Sequence, residues 1–324
     1  MMVLAQAYLI AWMTVLTTVL GMLLIVLVAH ALRVRWIVVV RRPAEHVATT
    51  LPWLALLFLP LLAMAHMLYP DPPEHLKTWL SLPLLAIRGG VCFAIWIGLA
   101  ETIRRRTFKT PPVSVQPVAA AGLPLFAITI TLASYDWLVA LTPEWSSTVY
   151  GVYVFASGFV SAWALLAILA VRAAKANASH LHAVGRMLFA FVIFWTYIGF
   201  CQFFVIAMGD LPEEVRWVQL RFAPGMRWMT AALALFHFVV PFFALLSRAN
   251  KRRPKILAGV AALVLVMHAV DITFLVGRLP HVFDLLMLVV MTGTTIAFGS
   301  FRARGQAPLA DNDPQFAASM KYVS

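Results

Sequence analysis

Nine ionisable side chains interrupt long apolar stretches of this sequence: His30, His66, Arg88, Glu101, Asp136, His237, His268, Asp271 and Asp284. Such groups are costly among apolar neighbours, so each needs a partner, a cavity or a task. His268 and Asp271 are three residues apart, which on a helix places them on one face. An imidazole beside a carboxylate is a usual element of a proton relay, because histidine titrates near neutral pH and each group biases the other's charge. The same spacing suits a structural pair that fixes helix rotation, and the sequence leaves both readings open. Arg88 cannot give up its proton, so it is no relay member and needs a counter-charge; Asp136, Asp271 and Asp284 are the candidates. His237 stands alone on an apolar helix just before Pro241, the setting of a hydrogen-bonded interior histidine. A haem held between two histidines could draw on His66, His237 and His268, but no local motif supports one. The two cysteines, Cys92 and Cys201, form no C-x-x-C, C-x-x-C-H or ferredoxin-type spacing. No disulfide framework, c-type haem attachment, iron–sulfur cluster or metal site is therefore expected in this chain, and no residue is assigned a catalytic role.

The elements that must position these groups follow from composition. Of 324 residues, 62% are hydrophobic and only 12% charged. Soluble domains carry about 25% charged residues, so this chain reads as an all-α polytopic membrane protein. Crossing the hydrocarbon core takes about 20 apolar residues. Nine stretches qualify, over 6–31, 49–69, 79–101, 117–141, 147–171, 186–208, 228–247, 256–277 and 282–301. Connections are short, so residues 1–301 form one membrane domain and 302–324 a polar tail. The first charged residue is Arg33, so the basic start of a cleavable signal peptide is missing.

The basic residues sort the loops. Arg33, Arg35, Arg41 and Arg42 follow span one, and Arg104, Arg105, Arg106 and Lys109 follow span three. Arg172, Lys175 and Arg186 follow span five, with five more after span seven and Arg302, Arg304 and Lys321 after span nine. The alternate loops hold only Lys77, Arg216, Arg221, Arg227 and Arg278, together with Asp71, Glu74, Glu144, Asp210, Glu213 and Glu214. The positive-inside rule then predicts the N-terminus outside and a cytoplasmic C-terminal tail. The net charge of +12 is accounted for by topology, and nucleic-acid binding is not expected.

Spans four and five meet in a tight hairpin around Thr142-Pro143. Asp136 lies just before it, and Trp137, Trp145 and Tyr150 occupy positions where an aromatic belt would anchor helix ends at the interface. Span five opens with Gly151, Ala156, Ser157, Gly158, Ser161 and Ala162, a small-residue stripe read as close helix packing.

Three stretches together resemble a known family. They are the hairpin (Asp136-Trp137, Pro143-Glu144-Trp145, Ser147-Thr148, Tyr150-Gly151), the run from Gly185 to Phe204 continuing to Glu214, and Leu82-Pro83-Leu84-Leu85-Ala86-Ile87-Arg88. With Ala7-Tyr8 and Trp12 at the start, and Pro308-Leu309 and Asp313-Pro314 in the tail, the chain resembles the ActF-type membrane subunit of bacterial alternative complex III. That complex is a respiratory quinol:cytochrome c oxidoreductase of the inner membrane, and its membrane subunits are similar to NrfD-like proteins. The resemblance implies two four-helix bundles, about 6–141 and 147–277, with a last helix at 282–301. Family members usually carry one further N-terminal span, so the chain reads as a shorter variant or a late-start gene model.

The resemblance also implies partners: a paralogous quinol-binding membrane subunit, and iron–sulfur and multihaem c-type cytochrome subunits that carry the redox groups. No cofactor is then expected on this chain, and quinone would lie at or near the interface with the paralogous subunit. The implied role is to scaffold the membrane arm and to line a proton path. Asp136, His66, His237, His268, Asp271 and Asp284 would serve its outer side, with Glu101 and His30 on the inner side and Arg88 as a structural charge. Two alternatives carry different expectations. A polysulfide- or nitrite-reductase-type membrane subunit would have other soluble partners. A stand-alone secondary transporter would have helix breaks at matching places in two halves, and Gly89-Gly90 and Pro124 do not match in this way.

Overall fold

A computed structural model describes residues 1–110 and 112–324, and among these every regular element is helical. Nine helical segments are long and apolar enough to cross a bilayer. The chain is an all-α, multi-pass membrane protein. Span one is α1 (Met2–Ala31), span three α6 (Leu82–Thr107), span four α7 (Gln116–Trp137), span five α8 (Tyr150–Arg172) and span six α9 (Ala178–Gly209). Span eight is α14 (Pro254–Val276) and span nine α15 (Val282–Arg302).

Spans two and seven are broken. Span two passes through α2 (Val38–Ala48), α3 (Leu51–Leu56), α4 (Leu59–Ala63) and α5 (Ala65–Leu68). Pro52 and Pro60 stand in the first turns of α3 and α4, because proline has no N–H to continue the preceding helix. The span therefore begins well before residue 49, and its first turns are polar. Span seven runs through α11 (Met226–Ala232), a π-helical segment at Leu233–Val239 and α12 (Val240–Leu246), with Pro241 just after the widened turns. Short helices α10 (Pro212–Phe222), α13 (Arg248–Arg252) and α16 (Phe316–Met320) lie in the connections and tail.

Spans one to four and five to eight make two four-helix bundles, with α15 laid against α1 and the start of span two. The bundles meet where α1 packs along α8. Gly21 and Gly158 set that approach: a Cβ on Gly21 would stand 2.5 Å from the Gly158 carbonyl oxygen, and one on Gly158 would stand 2.7 Å from that of Thr17. Small residues let backbones meet closely where lipid offers no hydrophobic drive between helices. The apolar window of α1 is wholly buried, whereas that of α15 is mostly uncovered.

The arginine-rich loops gather at one end. There Glu45 accepts from Arg41 Nε at 2.7 Å and Arg42 Nη1 at 2.7 Å, with His30 Nε2 at 3.2 Å. The tail folds across this end and ties the bundles together. Asp313 pairs with Arg41 at 2.8 Å, Asn312 accepts from Arg42 at 2.8 Å, and Arg248 donates to the Ser324 carbonyl at 2.7 Å.

The hairpin aromatics depart from the expected interfacial belt. Trp137 is buried against Trp12, Phe58, Phe93 and Trp96. Trp145 is buried too, stacking on Trp217 of α10 with ring centroids 4.5 Å apart and meeting Tyr150 edge-on. α10, which composition gave no reason to expect, folds over the hairpin and turns a would-be lipid anchor into core.

Candidate functional site

The centre of bundle two is a buried polar cluster contributed by four helices. On α14, His268 and Asp271 are both 0% exposed. Asp271 Oδ1 accepts from the Tyr153 hydroxyl of α8 at 2.7 Å. Its Oδ2 lies 2.5 Å from Ser157 Oγ, also of α8, and accepts from the Trp195 indole N–H of α9 at 3.1 Å. Ser157 Oγ is in addition 2.9 Å from His268 Nδ1, so one hydroxyl joins the carboxylate to the imidazole. The other ring nitrogen, Nε2, is 2.9 Å from Thr17 Oγ1 of α1, and Thr17 is 2.7 Å from the Met13 carbonyl.

This arrangement can hold two different numbers of protons with its hydrogen bonds intact. With Asp271 ionised, His268 Nδ1–H donates to Ser157, Ser157 donates to Asp271, and Thr17 donates to Nε2. With one more proton, Asp271 O–H donates to Ser157 and Ser157 donates to Nδ1. Then Nε2–H donates to Thr17, which turns to the Met13 carbonyl. Tyr153 and Trp195 donate to Asp271 in both states. Only hydroxyl rotors and a histidine tautomer change, and these are the cheap degrees of freedom in a buried network. Buried carboxylates without paired neighbours are expensive, so a site that stays satisfied on both sides of a protonation step is suited to passing protons.

The polar stripe continues along the bundle seam. Thr18 Oγ1 lies 2.9 Å from Ser161 Oγ and donates to the Thr14 carbonyl at 2.8 Å. Beyond Thr18, α1 is apolar up to His30, twelve residues on, or about 18 Å along the helix. The protein's own polar groups on α1 therefore do not join the Asp271 centre to the Glu45 cluster.

In bundle one, Asp136 takes the counter-charge role for Arg88. The guanidinium donates from Nε and Nη2 to the two carboxylate oxygens, both at 2.8 Å, with Trp79 stacked over it at 4.1 Å. Arg88 sits in the second turn of α6 rather than mid-span, because the helix starts only at Leu82. Both oxygens of Asp136 are thus committed to a fixed charge.

The remaining expected path residues fall elsewhere. His237 is fully buried in the π-helical segment with neither ring nitrogen partnered, contrary to the hydrogen-bonded interior histidine expected. It stacks on Trp195 at 4.2 Å, directly behind the Asp271 centre. His66 is exposed on α5, away from any ion pair found among the described residues. Asp284 pairs with Arg278 and accepts the His281 backbone N–H at 2.7 Å, so it caps the start of α15. Glu101 binds Arg104, Arg105 and, at 2.8 Å, Arg302 of α15, forming a surface clasp. With His268 held at both nitrogens, the paired-histidine haem reading has no geometric support. No cluster of three metal-ligating side chains occurs among the described residues.

Sequence reasoning missed Thr17, Tyr153, Ser157 and Trp195. Ser157 belonged to the stripe read as packing, and its neighbour Gly158 does pack. The signal available was a hydroxyl within a small-residue stripe. That residue type fills little space, yet it supplies a donor and an acceptor.

No protein-family model matches the chain, and no curated protein matches it significantly.

Proposed function

We propose that this protein is an integral membrane subunit of a respiratory quinol:electron-acceptor oxidoreductase of the alternative complex III type. In that role it scaffolds the membrane arm and carries protons through one half of the bilayer at the Asp271 centre. The reading places the chain in a bacterial inner membrane, with the arginine-rich end and tail cytoplasmic by the positive-inside rule. Its partners are a paralogous quinol-binding membrane subunit and iron–sulfur and multihaem cytochrome subunits, which hold the redox groups. The motifs shared with the ActF-type subunits support the assignment to a complex.

One observation carries the proton role: a fully buried Asp271–Ser157–His268–Thr17 chain that accommodates an added proton without orphaning a polar atom. Along α1 the polar groups stop at Thr18 and resume at His30, so that helix carries the path through only half the membrane. Asp136, held by Arg88, has the structural part. The transporter alternative is weaker, because the broken spans are the second of bundle one and the third of bundle two and so do not correspond.

Gentle solubilisation tests the assignment. Co-isolation with multihaem and iron–sulfur proteins is the expected result, and a single colourless polypeptide overturns it. In the reconstituted complex, Asp271→Asn is expected to stop coupled proton movement. Unchanged proton movement with normal quinol oxidation would remove Asp271 from the path.

A further inference from the structure

Beside the Asp271 centre, α9, α10, the π-helical segment and α14 enclose a cavity of about 300 Å³. Its walls are largely aromatic, and Tyr153 and Trp195 form its inner side. Phe200, Phe203 and Phe222 line it while remaining exposed on the surface of the bundle, so the cavity opens sideways.

Two lining side chains each carry one buried N–H group without an acceptor. Gln202 is 7% exposed, and its Nε2 has no hydrogen-bond partner. Arg221 is 3% exposed, and its Nε likewise has none. The Arg221 guanidinium lies 3.4 Å over the Trp217 ring, donating to the Trp217 carbonyl at 3.2 Å and the Leu275 carbonyl at 2.9 Å. No carboxylate pairs with it among the described residues. Leu275 closes the C-terminal turn of α14, ended by Gly277 at φ +84°, so the helix dipole offsets part of the charge. That offset is worth about half an elementary charge. Burial pushes the Arg221 pKa down to about 10, which leaves it protonated at neutral pH.

We infer that this cavity binds an amphiphile with an anionic oxygen head, the head meeting Arg221 and Gln202 and the tail leaving between the exposed phenylalanines. An anionic oxygen supplies the missing counter-charge, and charge-assisted bonds of this kind are the strong ones; a turn of the Gln202 amide about its terminal bond brings its Nε2 to the cavity as a further donor. A phospholipid phosphodiester and a fatty-acid carboxylate share this chemistry. The site goes beyond the proposed respiratory role, and binding is read on the full chain alone.

The test uses the delipidated full chain and native mass spectrometry with phosphatidylglycerol, oleate and uncharged monoolein in separate arms. One tightly held phosphatidylglycerol or oleate is expected, with monoolein about tenfold weaker or worse, and the better anion identifies the source. Arg221→Gln should lose the preference for anions, but it also loosens the cap on α14. Gln202→Leu removes a donor that has no protein partner, so it should weaken the adduct about tenfold while leaving the melting temperature unchanged. Ala234→Phe, which narrows the cavity from the π-helical side, should abolish the adduct. Equal retention of monoolein, or wild-type binding by both Gln202→Leu and Ala234→Phe, would overturn the proposal.

Discussion

The two bundles each carry a buried aspartate on their last helix, and the two are held in opposite ways. Asp136 of bundle one is gripped at both oxygens by Arg88, a group that does not titrate. Asp271 of bundle two is held by a tyrosine, a serine and an indole, all neutral. A proton arriving at Asp136 must break a bidentate ion pair and leave a partly buried guanidinium without its counter-charge. A proton arriving at Asp271 requires only that Ser157, His268 and Thr17 reorder. The identity of the nearest donors, rather than burial, separates a structural aspartate from one suited to proton transfer.

The largest expected contrast comes from exchanging each carboxylate for its amide. Asp271→Asn should leave a folded protein and abolish proton movement in the reconstituted complex, whereas Asp136→Asn should leave proton movement intact in the protein that folds. The cost of Asp136→Asn should instead appear as lower thermal stability, about 2–3 kcal/mol for unpairing the partly buried Arg88. The double change Arg88→Met with Asp136→Leu should recover much of that loss, and a melting curve checks it. Gly158→Ala presses a methyl group against the Thr17 carbonyl and should cost about 1–3 kcal/mol, loosening the seam that brings Thr17 to His268. Ser157→Ala removes the one hydroxyl that joins Asp271 to His268 and should slow proton transfer at least about tenfold, read as a proton-uptake rate. Asp313→Ala, which unties one strap of the tail, should lower stability by about 1–2 kcal/mol, because the buried Arg41 keeps its bond to Glu45.

Much of the fold was legible because the bilayer imposes a length. Nine apolar stretches stand out at about 20 residues, and nine helical segments of membrane-spanning length are present among the described residues. The breaks in spans two and seven were less legible. Pro52, Pro60 and Pro241 mark where a helix can be interrupted, but no residue type in Leu233–Val239 marks the π-helical turns, which pack against α9 and α14. His268 and Asp271 could be placed on one helix face from their spacing. Their partners could not, because Thr17, Ser157 and Trp195 come from helices remote in sequence and are common residue types in membrane spans. The choice of Asp136 for Arg88 was likewise one of three until the helices were assembled. Trp145 shows how an interface rule fails: it lies in the connection before α8 rather than at a helix end, and α10 covers it.

The account turns on whether Asp271 alternates between charged and neutral states while Asp136 does not. Infrared difference spectroscopy of the reconstituted protein, titrated with acid and base, reads this directly through the C=O stretch of a protonated carboxyl group. A titrating band from a dry carboxyl is predicted, absent in Asp271→Asn and unchanged in Asp136→Asn. A band that survives Asp271→Asn but disappears in Asp136→Asn would contradict the account.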